Sequence, residues 1–530
     1  MNDNNRQHFF RLAVVLGAVF IANCGGGGGG GFPPPISGWV AGVFLPFDSF
    51  AAQCAAPRSG VDANGRPFPD VQGSTLSENN WLRSWSDELY LWYAEITDQD
   101  PSGFQTLDYF DVLKTFATTA SGTAKDQFHF TFATDEWLAL SQGGVSAGYG
   151  MNLSFISSVP PRNVVVAYLD PGTPATAAPA SLARGTMLLA VDGIDLVNDN
   201  TSAGIDILNA GLFPAAAGET HSFTVLDIGA PSSRTFSMVS ADIVSTPVQN
   251  VRPISTITGE VGYMLFNDHI ATAEQGLIDA INFLQAANIV DLVIDLRYNG
   301  GGFLDIASEL AFMIAGPVPT AGQTFEKIVF SDKHPVTNPV TGQSLTPIPF
   351  HSTSQGFGNT PFGQALPALN LPRVFLLTGP NTCSASESII NSLQGVDVEV
   401  IQIGSTTCGK PFGFFPFDNC GTTYFSIQFQ GLNAKNFGDY TDGFSPANST
   451  GTVGALVTGC SVADDFTAAL GDATEGRFAA ALNFRDTQSC PTPSGLAQKL
   501  ALSGPETFTL DAVDGLMPKS PWLENRIIVR

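Results

Sequence analysis

The sequence predicts a multidomain α/β protein, with an N-terminal helical segment, a small β domain and a mixed α/β core that carries a C-terminal extension. Two observations lead to this prediction. The chain has 530 residues, 44% of them hydrophobic, which is a globular composition in a chain longer than one hydrophobic core usually supports. The hydrophobic pattern also changes along the chain, from helical spacing to short β-branched runs and then to strands that alternate with helices.

The first residues, 1–24, are typical of a bacterial lipoprotein signal peptide. Arg6 and Arg11 precede an apolar run that is too short to span a bilayer stably. The run ends in a sequence that resembles a lipobox, in which Cys24 becomes the acylated first residue. Asn23 is unusual before such a cysteine, and an ordinary secretory signal is the alternative. We therefore expect an extracytoplasmic protein that is lipid-anchored to a bacterial membrane.

Residues 25–75 are predicted to form a tether and linker, because the run of glycines and prolines at their start cannot bury a core. The whole chain carries 23 Lys and Arg against 48 Asp and Glu, a formal net charge of −25. This charge repels nucleic-acid phosphates and anionic membrane surfaces. We therefore expect no nucleic-acid partner and no membrane contact other than the lipid anchor, and the oligomeric state stays open.

The cysteines beyond Cys24 are expected to form disulfides. No C-x-x-C pair or histidine cluster accompanies them, so a metal site is not expected, and disulfides suit an oxidising compartment. Spacing along the chain favours three pairs, although other connectivities stay open. The favoured pairs are Cys408–Cys420, Cys460–Cys490 and, as the remainder, Cys54–Cys383.

Residues 76–140 are predicted to form the helical segment, because aromatic and aliphatic residues recur there at helical spacing. Five of these residues are expected to be core rather than a ligand site. They are Trp81, Trp85, Leu89, Leu91 and Trp92.

Residues 143–245 have the pattern of a small β domain, with short β-branched runs separated by glycine and proline. The loop Gly148-Tyr149-Gly150-Met151, followed by LDPGTPA and RGTMLLAVDG, resembles a PDZ domain. The resemblance implies that the backbone N–H groups of this loop hold a peptide carboxylate while the peptide adds a strand to the sheet. The alternative is a β domain that only braces the rest of the protein.

Residues 250–446 are predicted to form the mixed α/β core, because apolar strands alternate there with helices. Helices are expected over 273–286 and 304–314, and after Ser384. Residues 447–530 are predicted to be a C-terminal extension that contains helices in SVADDFTAAL and EGRFAAAL.

Two strand-to-helix turns are candidates for chemistry. The first, Asp295-Leu296-Arg297-Tyr298-Asn299-Gly300-Gly301-Gly302, has glycines that can turn N–H groups towards a ligand. In the second, Thr382-Cys383-Ser384-Ala385-Ser386-Glu387, the serine hydroxyl can reach a cleft at a helix N-terminus, where N–H groups stabilise an oxyanion. An N-cap role for Ser384 is the simpler interpretation of the second turn.

Lys410 is the candidate base. It ends a G-x-x-x-x-G-K sequence, but Pro411 replaces the residue that would bind Mg²⁺, and strand rather than helix follows, so nucleotide binding is rejected. No histidine follows Ser384 and no G-x-S-x-G sequence is present, which disfavours an α/β-hydrolase triad. A lysine can act as the base when burial lowers its pKa. A solvated surface lysine is the alternative.

Together, DLRYNGGG, the serine turn and a lysine 26 residues after the serine resemble the S41 C-terminal processing (tail-specific) peptidases over roughly 79–446. The resemblance implies a serine endopeptidase that cleaves extracytoplasmic polypeptides and recognises their C-terminal regions. It implies no metal and no organic cofactor. Ser384 is the implied nucleophile and Lys410 the implied base. The implied oxyanion hole is the Ala385 N–H with an N–H of Gly300 or Gly301.

Two residues depart from that family's pattern. Many members have a glutamine four residues after the lysine, where this chain has Phe414, and Pro411 stands where glycine is usual. The group that orients the lysine is therefore unassigned. The alternative function is a catalytically inactive, PDZ-containing lipoprotein that binds peptides or other ligands.

Overall fold

A computed structural model describes residues 39–62 and 65–491, and the backbone of 526–527. The predicted signal peptide with Cys24, the first part of the tether and most of the segment after 491 lie outside the described residues. Within the described ranges, no helix is long and apolar enough to cross a membrane.

The first two of the three α-helices in the N-terminal segment pack through their aromatic faces. The first helix begins after Ser74, whose side chain accepts the Ser77 N–H, and it buries Trp81, Trp85 and Leu89 as predicted. The rings of the two tryptophans stack at 5.3 Å. The described part of the predicted linker contains β1 (Gln53–Cys54) and β2 (Val71–Gln72). The segment itself contains α1 (Thr75–Leu89), α2 (Thr106–Val112), β3 (Phe130–Ala133) and α3 (Thr134–Gly143).

The next region is a small β domain with its own apolar core. Its sheet has the order β10-β9-β7-β6-β5, β8 pairs with β7, and a separate pair joins β4 to β11. Strand β5 is therefore an edge of the sheet. The elements are β4 (Val145–Gly148), β5 (Met151–Ser157), β6 (Asn163–Leu169), β7 (Met187–Val191), β8 (Ile194–Asp195), α4 (Ser202–Leu212), β9 (Thr220–Leu226), β10 (Arg234–Val239) and β11 (Ala241–Val244).

The core contains the elements that carry the predicted chemistry. Its strands are β12 (Val248–Thr256), β13 (Gly259–Phe266), β14 (Asp291–Asp295), β15 (Gly302–Phe303), β16 (Thr324–Phe330), β17 (Ile348–Pro349), β18 (Arg373–Thr378), β19 (Glu399–Gly404), β20 (Phe412–Gly413), β21 (Phe417–Asn419), β22 (Thr422–Phe425), β23 (Phe429–Leu432), β24 (Phe444–Pro446), β25 (Ala455–Val457) and β26 (Gly459–Ser461). Its helices are α5 (Ala273–Ala286), α6 (Leu304–Ala315), α7 (Pro317–Thr320), α8 (Ala385–Gly395) and α9 (Gly476–Thr487). Further along the chain, β27 (Arg526–Ile527) pairs with β15.

A six-stranded sheet, β12-β13-β14-β18-β19-β26, organises this core. It is parallel except for the β12–β13 pair. Alternate residues of each strand fall into two clusters: Ile294 packs with helices α5, α6 and α8, whereas Val293 packs with α9. Both faces are therefore covered, as the nearly continuous apolar strands predicted. The helices at 273–286, 304–315 and 385–395 agree with prediction.

The predicted C-terminal extension is in part a component of this sheet. Strand β26 pairs in parallel with β19, and α9 covers the second face. The expected helix in EGRFAAAL is present as α9, but the one in SVADDFTAAL is absent and that prediction is wrong. The segment is irregular there and contains turns, and the side chains of Asp464 and Asp465 accept hydrogen bonds from Arg297 and from the first N–H of α9.

The six cysteines of the described ranges form three disulfides, and only Cys460–Cys490 is a pair that spacing favoured. Cys408 pairs with Cys383, and Cys420 pairs with the distant Cys54. Spacing failed because Cys420 lies in the β21–β22 turn, and β22 pairs with β3 of the N-terminal segment. The Cys54–Cys420 bond therefore joins the linker that precedes this segment to the core.

A buried carboxyl pair connects α5 and α6 to the loop at 354–357. Glu274 Oε1 and Glu309 Oε1 both accept the Gln355 N–H, at 2.6 and 2.8 Å. Both side chains are fully buried, and desolvation, reinforced by Glu274, raises the pKa of Glu309 to about 10. The folded protein therefore keeps Glu309 protonated at a pH at which the unfolded chain ionises it.

We predict that Glu309→Gln stabilises the protein increasingly as the pH rises. Between about pH 4.5 and 10 the folded state binds the extra proton, so wild-type stability falls with pH by at most about 1.4 kcal/mol per pH unit, and the amide removes that penalty. Urea denaturation of both proteins at pH 5 and pH 9 measures the effect, with the exposed Glu136→Gln as control. Equal differences at the two pH values would contradict the prediction.

Candidate active site

The turn before α8 holds Ser384 in an unusual backbone conformation. Ser384 is the N-cap residue of α8, with φ 59° and ψ −114°, and it is fully buried. A serine at positive φ is strained and persists only where neighbouring contacts impose it. Those contacts come from the glycine turn: Thr382 Oγ1 donates to the Leu296 carbonyl (2.8 Å) and Cys383 N–H to the Asn299 carbonyl (3.1 Å). The two candidate turns therefore lie against each other.

The Glu387 carboxylate joins the Ser384 turn to the Lys410 segment. Its Oε2 accepts the backbone N–H of Ser384 at 2.9 Å and that of Lys410 at 2.8 Å. Its Oε1 accepts the Gly409 N–H (2.9 Å) and the Thr407 hydroxyl (2.5 Å). Burial raises the pKa of Glu387, while these donors act in the opposite direction. Two residues 26 positions apart thus share one acceptor atom.

A disulfide strengthens this connection. Cys383 precedes Ser384, Cys408 lies two residues before Lys410, and their Cα atoms are 5.2 Å apart. The described residues contain two groups of cysteine and glutamate with metal-ligand spacing, Cys383/Glu387/Cys408 and Cys54/Glu78/Cys420. In each group the two cysteines form a disulfide with each other. Their sulfur atoms are not thiolates and do not offer a metal the usual ligands.

Lys410 lies in an irregular segment between β19 and β20 and is fully buried, so the surface-lysine interpretation is wrong. Its Nζ is 4.3 Å from the ring centroid of Phe128 and 4.6 Å from that of Phe414. Apolar rings around an amine disfavour its charged form by desolvation, although a ring face also attracts an ammonium group. The amine therefore has the water-poor surroundings that a lysine base requires.

The glycine turn is shaped by Asn299 and His269. Asn299 Oδ1 accepts the Gly301 N–H (3.0 Å) and lies 3.0 Å from His269 Nδ1. Gly302, at φ 129°, passes so close to the His269 carbonyl that a Cβ would be 2.5 Å from its oxygen. Burial lowers the pKa of His269 to about 3, so its ring is neutral. Within the described residues, the backbone N–H groups of Gly300 and Ala385 donate no hydrogen bond.

The residues before Gly300 are anchored by a charged cluster that also reaches the β domain. Arg297 pairs with Asp295, Asp464 and Glu475 at 2.6–2.9 Å, and all of these groups are almost fully buried. Tyr298 OH donates to Asp464 and accepts from Arg184 of the β domain at 2.7 Å. The nearby arginines hold the pKa of Asp464 well below its usual range.

The predicted peptide-binding loop lies at the start of edge strand β5. Gly148 ends β4, and the carbonyls of Tyr149 and Gly150 accept the N–H groups of Ala175 and Asp170, at 2.9 and 2.8 Å. Gly150 has φ 75°, and a Cβ there would overlap Thr173. The Tyr149 ring is buried against the domain's own core, while Met151 begins the open edge. The loop joins β4 to β5, and neither strand belongs to the six-stranded sheet whose strands β18 and β19 precede Ser384 and Lys410.

Comparison with known proteins identifies the region that contains both turns. Residues 260–420 match the model of peptidase family S41. This S41-matching region includes Ser384, Lys410 and the glycine turn. A carboxyl-terminal-processing protease from Picosynechococcus sp. is 29% identical over 280 residues, which cover 52% of this chain and 56% of the relative. The chain thus spans only about half the length of that protein.

The fold of the S41-matching region has a solved counterpart. A Bacteroides fragilis protein described as a candidate S41 protease has a crystal structure with a TM-score of 0.56 and 22% identity, over 80% of this chain and 98% of that one. This similarity supports the mixed α/β fold.

Sequence reasoning assigned no role to three side chains of this site. Glu387 was part of the serine turn, but its position beneath Lys410 depends on the fold. His269 and Phe128 come from segments 115 and 256 residues away from Ser384, and no motif identified them. For Phe128, an aromatic residue in an aromatic-rich segment carried no distinguishing signal.

Proposed function

We propose that this protein is a serine peptidase in which Ser384 is the nucleophile and Lys410 the general base. The observation that carries the proposal is the shared Glu387 oxygen, which accepts the backbone N–H groups of both residues while the lysine amine is buried between apolar rings. The amine takes the Ser384 hydroxyl proton as Oγ attacks a peptide carbonyl. It then returns the proton to the leaving amine, and water hydrolyses the acyl-enzyme.

For the oxyanion hole we propose the N–H groups of Ala385 and Gly300. Ala385 is the first residue of α8, so the helix dipole favours negative charge beside it. The choice of Gly300 over Gly301 is supported by the Gly301 N–H, which already donates to Asn299 Oδ1. The proposed steps use only side chains and backbone groups of this chain, without metal or organic cofactor.

The proposed substrate is a polypeptide recognised through its C-terminal region. This proposal is supported by the position of β5 at the edge of its sheet, where a peptide could add as a further strand. The backbone N–H groups of the preceding loop, Gly148-Tyr149-Gly150-Met151, would then hold the peptide carboxylate, as the resemblance to a PDZ domain implies. The relative from Picosynechococcus is itself named for carboxyl-terminal processing. We further propose an extracytoplasmic protein anchored by lipidation of Cys24, and the three disulfides suit that oxidising location.

The test is covalent labelling with a fluorophosphonate, which reacts with activated serine hydroxyls. We expect modification of wild-type protein at the peptide containing Ser384, located by mass spectrometry, together with cleavage of an unfolded protein substrate. Ser384→Ala should lose both, whereas Ser392→Ala, which alters a buried serine further along α8, should keep them. Labelling that persists in Ser384→Ala would assign the chemistry to another residue.

The alternative is an inactive protein that only binds peptides through the β domain. The observation that favours this alternative is Phe414, which stands where many family members have a glutamine. Binding of a C-terminal peptide measured by fluorescence anisotropy distinguishes the two functions. Equal binding by wild type and Ser384→Ala, without product or labelling in either, would support the alternative.

A further inference from the structure

We infer that the ring faces of Phe128 and Phe414 position the Lys410 amine, and that the N-terminal helical segment thereby forms part of the catalytic centre. The inference rests on the proposed function, because it concerns the base of that reaction. Both ring centroids lie within 5 Å of Nζ, a distance at which an aromatic face attracts an amine or ammonium group. Phe128 and Phe414 are thus positioning residues.

Phe128 is held in place by a buried network that belongs entirely to the N-terminal segment. Asp126 Oδ1 accepts the Phe128 N–H (2.9 Å), and Asp126 Oδ2 accepts the Tyr90 hydroxyl (2.6 Å). The Tyr90 oxygen in turn accepts the Thr115 N–H (3.0 Å). Tyr90 and Asp126 are almost fully buried. Their hydrogen bonds therefore fix the position of Phe128 beside the lysine.

Phe414 is held from the core side, and the two sides are joined. Its ring contacts those of Phe425 and Phe130 at 5.3 and 6.0 Å, and Phe130 stacks on Phe425 at 4.5 Å. Phe130 and Phe425 are opposite each other in the β3–β22 pair. The pairing therefore fixes the N-terminal segment relative to the core and sets the spacing between the two rings that contact the lysine.

This arrangement has a chemical consequence for a lysine base. A ring face attracts the N–H hydrogens of an amine but supplies no proton and does not occupy its lone pair. With its N–H bonds drawn towards the rings, the amine directs its lone pair elsewhere, where it can take a hydroxyl proton. The rings also keep water from the amine.

Three titratable groups surround this part of the site. Glu387 accepts the backbone N–H of Lys410, and Asp126 and His129 flank Phe128 in the chain. Burial lowers the pKa of His129 to about 4, and Asp126 is tied to Tyr90. All three groups are retained in the variants described below. A difference in pH dependence between those variants therefore does not come from the loss of one of these groups.

The test compares Phe128→Leu and Phe414→Leu with Phe350→Leu, which removes a buried ring of the same hydrophobic cluster that contacts Phe325 and is not one of the rings over Nζ. The readouts are the pH dependence of fluorophosphonate labelling of Ser384 and of kcat/KM. We expect the first two variants to react about tenfold more slowly and to shift the acidic limb to lower pH by roughly one unit, because the buried ammonium loses its ring contact. Phe128→Tyr keeps a ring face, so its acidic limb should lie at the same pH as that of the wild type.

An equal shift of the acidic limb in Phe350→Leu, Phe128→Leu and Phe414→Leu would overturn the inference, since it would reflect general packing. The inference would also be overturned if the wild-type enzyme is reactive but the acidic limb of the pH profile is unshifted in both Phe128→Leu and Phe414→Leu. The proposed function fails in a different way: wild-type protein would then neither cleave nor react with the fluorophosphonate, and this inference would fall with it.

Discussion

Replacing Lys410 with methionine is expected to lower kcat for peptide cleavage by at least about 10³-fold. Methionine keeps an unbranched apolar side chain near the Phe128 and Phe414 rings, one atom shorter than lysine, but cannot accept the Ser384 proton. Because the amine is fully buried, removing it should leave the free energy of unfolding unchanged or higher. Steady-state kinetics and urea denaturation of the purified variant measure the two effects.

The matched control is Lys327→Met, which removes an exposed lysine of β16 and should leave kcat unchanged. A Lys410→Met variant that retains more than about a tenth of wild-type kcat would exclude the lysine as the base. Loss of activity accompanied by a large fall in stability would instead indicate a structural role. The combination of full stability and lost activity is the result that the proposed mechanism requires.

Glu387→Ala is expected to have the largest combined effect on stability and activity. The substitution leaves four donors without their acceptor: the N–H groups of Ser384, Gly409 and Lys410 and the Thr407 hydroxyl. A buried donor without a partner costs about 1–3 kcal/mol, so we expect the free energy of unfolding to fall by about 4 kcal/mol or more. Displacement of the serine turn from the lysine should also lower kcat by about 100-fold or more.

Two further variants make this expectation specific. Glu387→Gln keeps an acceptor oxygen for one pair of donors and turns an NH₂ towards the other, so its stability should lie between wild type and Glu387→Ala. Glu399→Ala, an exposed glutamate on β19, should change neither property. If Glu387→Ala folds with wild-type stability and activity, the shared carboxylate does not position the site.

The core elements could be predicted because their signals are local. The strands and helices at 262–315 and 373–404 have apolar patterns that reflect burial on both faces of one sheet, and the helix at 273–286 was bounded correctly. The helix expected in SVADDFTAAL was wrong because Asp464 is drawn to Arg297, a partner far away in the chain. Periodicity does not detect an ion pair of this kind.

The disulfides illustrate the same distinction. Cys460–Cys490 closes a short loop between β26 and the end of α9, and spacing was sufficient to predict it. Cys408 and Cys420 are closer in sequence, yet each bonds elsewhere because the chain between them turns from the serine site to the hairpin that meets the N-terminal segment. Proximity along the chain failed where tertiary pairing determined which sulfur atoms meet.

By itself, the sequence determined which residue types are present for chemistry: a serine at a strand-to-helix turn, a lysine in an apolar segment and a glycine turn, each recognisable from neighbouring residues. Only the tertiary structure decided how they are held together. Glu387 binds both the serine and lysine backbones, a disulfide spans them, and Phe128 reaches the lysine from 282 positions away. Hydrogen bonds, sulfur bridges and ring contacts depend on distance in space, which a one-dimensional pattern does not contain.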